Sequence, residues 1–120
     1  MPTKKTNAHQ NLEWYEKLVH TIPEIERKGA AMPYTSVNGH MFSFMSAEGK
    51  IGIRLPEEAR DSFLKKYKTE LFQTHGTVLK EYVNVPDNII QKTKELKKYF
   101  EISYEHVKSI KPKPTSKNKK

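Results

Sequence analysis

Hydrophobic spacing divides the chain into helical and extended stretches. Leu12, Tyr15, Leu18, Val19 and Ile22 recur at helical spacing. They predict an amphipathic first helix from about residue 8, with Trp14 beside the stripe and Pro23 ending it. Residues 32–55 change period. Asn38-Gly39 is the strongest short hairpin signal, because both central residues of a type I′ turn need positive φ. Ser46-Ala47-Glu48-Gly49 reads as a second turn. Three short strands follow, a meander on which the rest of the chain is expected to pack. With a four-residue second loop, Met45 pairs with Lys50, Phe44 faces Ile51 and Phe42 faces Ile53. That register gathers Phe42, Phe44, Ile51, Ile53 and Leu55 on the core face, with His40 at its edge. Burying each Phe or Ile contributes about 1.5–3 kcal/mol, so this register is expected over the one-residue slip that would gather Met41, Met45, Ile51 and Ile53. Tyr34, Met41, Ser43 and Met45 are left on the opposite face.

Pro56 followed by Glu57 and Glu58 predicts a helix start, the two acids opposing the positive end of the helix dipole. Ala59, Phe63 and Tyr67 carry that helix to about residue 67. Leu71-Phe72 reads as a brief extended piece before a turn at His75-Gly76. Residues 77–85 form a strand rich in β-branched and aromatic residues, with Leu79, Val83 and Val85 on one side and Val78 and Tyr82 on the other. Asp87 is the expected N-cap of the last helix. Its stripe, Ile89, Thr93, Leu96, Phe100, Ser103, Val107 and Ile110, alternates steps of four and three. One helix over residues 88–110 would be about 34 Å long; it is read as covering the sheet, the other option being packing on a second subunit. The expected fold is α+β, in two layers, an antiparallel sheet with helices on one face, in the order α-β-β-β-α-β-α. Residues 8–110 form the single domain, between a disordered basic N-terminus (1–7) and a disordered Lys/Pro tail (111–120).

Charge changes this picture less than its size suggests. The 120 residues carry a formal net charge of +8. Lys4, Lys5, Lys111, Lys113, Lys117, Lys119 and Lys120 lie in the two ends, and setting those seven aside leaves 15 bases against 14 acids. A basic tail is first of all solubilising; it also offers sequence-independent affinity for phosphate backbones. The absence of cysteine excludes disulfides, a thiolate nucleophile and Cys-based zinc sites. The apolar runs are too short for a membrane-spanning helix or a signal-peptide core, so a cytoplasmic protein is expected.

Candidate chemistry is sparse. His9, His20, His40, His75 and His106 have no metal-ligand spacing. There is no phosphate-cradling glycine loop or Gly-x-Ser-x-Gly elbow, and no nucleophile, base and orienter come together. No cofactor, no metal and no enzymatic activity are expected. Phe42 and Phe44 sit two apart on one strand, as on RNA-stacking sheets, but no basic-glycine motif flanks them, and a core role is expected.

Three segments resemble the N-terminal domain of the TfoX/Sxy family: Val37-Asn38-Gly39-His40-Met41-Phe42; the strand ending Ile53-Arg54-Leu55-Pro56; and Lys80-Glu81-Tyr82-Val83-Asn84-Val85-Pro86. The closing helix with its Lys-Pro-Lys-Pro tail is also similar, and the YjbR family is a neighbour of similar layout that has been linked to DNA binding. Where the TfoX/Sxy family carries Met-Phe-Gly-Gly, this chain reads Gly29-Ala30-Ala31-Met32-Pro33-Tyr34. The resemblance implies an α+β domain with one antiparallel sheet, frequent dimers, and a bacterial regulatory setting linked to competence. It carries over no catalytic residue. The expected function is a non-enzymatic regulatory or protein-interaction module, with Tyr34, Met41 and Met45 as the surface for a homodimer or protein partner. The alternative is a DNA-binding accessory protein using Lys111, Lys113, Lys117, Lys119 and Lys120.

Overall fold

The computed structural model describes residues 8–29, 32–46, 48–74 and 76–110. The expected N-terminal and C-terminal tails lie outside these residues, as does His75 of the expected turn. The elements run α1 (Ala8–Val19), β1 (Tyr34–Val37), β2 (His40–Met45), β3 (Ile51–Arg54), α2 (Glu57–Tyr67), β4 (Leu71–Thr74), β5 (Thr77–Val85), α3 (Asp87–Ile90) and α4 (Thr93–Lys108). The strands form one antiparallel sheet in the order β1-β2-β3-β5-β4. The fold is α+β as the sequence predicts. Two elements are added to the expected order. The brief Leu71-Phe72 piece is a full edge strand paired with β5, and the closing helix is two helices.

The first turn forms as expected: Asn38 and Gly39 take φ of 57° and 80°. The second does not. Met45 pairs with Ile51, Phe44 with Gly52 and Ser43 with Ile53. The loop therefore holds five residues, one more than predicted, with Ser46 and Lys50 closing it by a backbone bond of 2.8 Å. Because side chains alternate with period two, that one residue exchanges the faces of Phe44 and Met45. Met45 joins the core with Ile51, Ile53, Leu55, Val83 and Val85. The predicted register assumed that a slip would forfeit both aromatics. A bulge removes that cost. The β1–β2 register shifts at Thr35/Ser36, so that Met41, Phe42 and Ser43 oppose only those two residues, and Phe42 and Ser43 both point to the core side. Phe42 is fully buried against Phe100 and Tyr104.

Helices cover this face. α1 contributes Tyr15, Leu18 and Val19, α2 Phe63, α3 Ile89 and Ile90, and α4 Leu96, Tyr99, Phe100 and Val107, all in one cluster with the sheet residues. Three buried hydroxyls pin α1 down: Tyr15 Oη is hydrogen-bonded to Ser43 Oγ at 2.7 Å, and Ser43 Oγ to Thr35 Oγ1. Ser103 on α4 donates to the carbonyl of the bulged Phe42 at 3.3 Å. Ile89, Leu96, Phe100, Ser103 and Val107 of the expected stripe are thus buried, with Thr93 and Ile110 half-buried, but a joint at Gln91-Lys92 breaks it. The joint lets adjacent Ile89 and Ile90 both reach the core. It leaves α4 at 16 residues, about 24 Å, so no overhang calls for a second subunit. Pro86, not Asp87, holds the N-cap position of α3, and Asp87 stands in its first turn. On β5, Val83 and Val85 are core, whereas Leu79 pairs with Phe72 outside it. The β4–β5 register shift at Leu71/Phe72 takes Leu79 off the predicted side.

Candidate functional site: the open face of the sheet

The face away from the helices carries its own small cluster. Phe44 from β2 meets Phe72 from β4 edge to face at 4.7 Å between ring centroids, and Tyr82 from β5 at 5.3 Å. Phe44 must cross β3 to reach them, and Gly52 lies beneath its ring. A Cβ built on Gly52 would stand 2.7 Å from Phe44 Cζ and 3.1 Å from Phe72 Cδ2, so the aromatic bridge requires glycine there. Tyr82 reaches the other way and donates its hydroxyl to the Met41 carbonyl at 2.7 Å. Burial raises the Tyr82 phenol above its ordinary range. Arg54 pairs with Glu81 at 2.6 Å beside this cluster.

The cluster is closed over itself. Phe44 is 7% exposed and Phe72 3%, so neither ring offers a flat face for stacking a base. What the face presents to solvent is its margin. Met41 is 37% exposed, and Tyr34, paired with Phe44, is half-buried. Of the three residues predicted for a partner surface, the structure brings Tyr34 and Met41 to this face and places Met45 in the core under the helices. Met45 is therefore not a surface residue; the longer loop inverts it. Phe44, Gly52, Phe72 and Tyr82, which organise the face, were not among the predicted residues. The signal that could have found them is Gly52 itself, a glycine inside a strand, which marks close approach of another group.

The lysines predicted for phosphate contact, Lys111, Lys113, Lys117, Lys119 and Lys120, lie outside the described residues. The described clefts are shallow. One of about 160 Å³ is lined by Lys50, Glu70, Leu71, Gln73 and Asn84; another by Thr21, Ile22, Pro23, Glu24, Glu101, Tyr104 and Glu105. Neither sets a nucleophile against a base. Among the described residues no three His, Asp or Glu side chains gather as a metal site, and no helix is long and apolar enough to cross a membrane. Comparison with family models, curated proteins and solved structures returns no match.

Proposed function

We propose that the chain is a non-enzymatic regulatory or protein-interaction module, of the kind its resemblance to the TfoX/Sxy N-terminal domain implies, and that it meets its partner on the open face of the sheet. The observation that carries this reading is Met41. An exposed methionine, its backbone carbonyl held by the Tyr82 hydroxyl, stands at the margin of a pre-formed aromatic cluster, on the sheet face opposite the helix-covered core. A methionine side chain adapts to different apolar surfaces, and the packed rings beside it keep the ordering cost of docking low. Tyr34 adds an amphipathic neighbour of the kind enriched at interfaces. The occupant is a second copy of the chain or a different protein.

Light scattering and capture from native lysate, run on the parent and on Met41→Lys, test this. The parent is expected to dimerise or to retain a protein that Met41→Lys releases, with the melting temperature unchanged. If neither association depends on Met41, the open face is not the contact surface and the reading fails.

A second reading, a DNA-binding accessory protein using Lys111, Lys113, Lys117, Lys119 and Lys120, is favoured by the concentration of the +8 charge at the chain ends. Replacing those five lysines by glutamine would then abolish a salt-sensitive mobility shift.

A further inference from the structure

The near balance of charge in the body hides an uneven distribution. The end of α2 and the residue after it carry Lys65, Lys66 and Lys68; the residue before α4 and its first two turns carry Lys92, Lys94, Lys97 and Lys98. All seven are exposed. Within residues 62–69 and 88–100, Glu95 is the one acid. The fold joins these two stretches. Tyr67 donates its hydroxyl to Glu95 at 2.6 Å, tying the last turn of α2 to the first turn of α4. The rings of Tyr67 and Tyr99 meet edge to face at 6.0 Å. Lys66 Nζ stands over the Tyr67 ring at 5.3 Å, and Lys98 Nζ over Tyr99 at 5.8 Å. Tyr67's hydroxyl and Lys92, Lys66 and Lys98 hold the Glu95 carboxyl below its usual range. Lysines from α2, from the α3–α4 joint and from α4 therefore converge on one spot.

A merely solvated helix face intersperses the two signs, as Lys97 and Glu101 do one turn apart at 3.9 Å. Around Lys66, Lys92 and Lys98 the acid at the centre, Glu95, is already engaged by Tyr67, and the like charges sit on a floor of packed tyrosine. We propose that this lysine cluster at the α2–α4 junction, with Lys66, Lys92 and Lys98 at its centre, docks the phosphate backbone of a nucleic acid. The cationic groups are all lysines, point charges without the fork of arginine, which suits phosphates rather than base edges. A protein partner fits less well. A protein interface needs an apolar centre, and among the described residues the exposed large hydrophobics, Met32, Met41 and Val78, all lie on other segments. This surface is independent of the open face and of residues 111–120.

Fluorescence anisotropy of a labelled 20-base-pair duplex of mixed sequence, between 50 and 200 mM salt, tests it on the full chain. The parent is expected to bind with a steep salt dependence. Lys66→Gln/Lys92→Gln/Lys98→Gln should reduce the slope of log K against log salt by about 2.7, and Lys92→Gln alone by about 0.9. A control of equal charge, Lys28→Gln/Lys50→Gln/Lys80→Gln, should keep the parent slope. Replacing the five tail lysines by glutamine should leave the loss caused by the cluster variant in place. Absence of parent binding, an unchanged slope in the cluster variants, or an equal loss in the control would each overturn the proposal. So would capture by phosphatidylserine vesicles with no binding to the duplex.

Discussion

Gly52 is the residue on which the open face depends. Its missing side chain lets Phe44 lie across β3 and meet Phe72 and Tyr82. Gly52→Ala drives a methyl group into a ring packed on two sides, and overpacking of this kind costs about 1–3 kcal/mol. Urea unfolding should show it as a lower midpoint with an unchanged m-value. The buried hydroxyls give a second residue-level test. Ser43 is the shared partner of Tyr15 and Thr35. Ser43→Ala leaves both without it, at about 1–3 kcal/mol for each buried group left unsatisfied. Tyr15→Phe removes one hydroxyl and leaves the Ser43–Thr35 bond in place. Ser43→Ala should therefore destabilise more than Tyr15→Phe, and equal costs would show that the three hydroxyls do not act as a unit.

Among the elements, the sequence was most legible where a local signal fixes the backbone. Asn38-Gly39 gave its turn, and Pro56 with two acids gave the start of α2. Periodicity found the buried residues of α1 and, Tyr99 apart, those of α4. It failed where a single residue decides between two faces. Nothing local distinguishes a four-residue from a five-residue loop at residues 46–50, and the bulge at Phe42 exists because of what α4 brings to it. Likewise, β4 is short and is a strand because β5 is there to pair with it. Of the predicted surface, Tyr34 and Met41 were legible and Met45 was not, all on that one register. The turn also has a role beyond its own geometry. Asn38 Nδ2 donates to the Lys108 carbonyl at 2.7 Å, at the end of α4. Asn38→Gly keeps the positive φ and loses this bond. Asn38→Ala loses both. Thermal melts should rank the parent above Asn38→Gly and Asn38→Ala lowest, and the reverse order of the two variants would mean that the positive φ does not constrain this position.

For the whole molecule, three phenols report on folding. Tyr15 and Tyr82 are raised by burial, and Tyr67 by burial together with its bond to Glu95. In the unfolded chain each titrates near pH 10. Between that value and the higher folded values the native state holds more protons, so stability is complete below about pH 9 and falls as pH rises through 10. The deeply buried Tyr15 accounts for up to about 1.4 kcal/mol per pH unit of that slope. Urea midpoints from pH 8 to 11 should decline in the parent and decline less steeply in Tyr15→Phe.

The bond from Asn38 to Lys108 spans 70 positions of the chain, and it has a consequence in time. During synthesis α1 and the hairpin emerge first, and β1, β2 and β3 are complete before α4, the helix that packs on all three, has been made. Until then Phe42 lacks Phe100 and Tyr104, the α4 rings packed against it. The domain therefore cannot close progressively from its N-terminus, and its nascent form is the one most exposed to aggregation. A chain ending at residue 92 is expected to be insoluble or collapsed without fixed aromatic packing, as near-ultraviolet circular dichroism would show. Adding residues 93–110 as a separate peptide should restore that signal, the last helix acting as the clasp that turns a sticky hairpin into a folded protein.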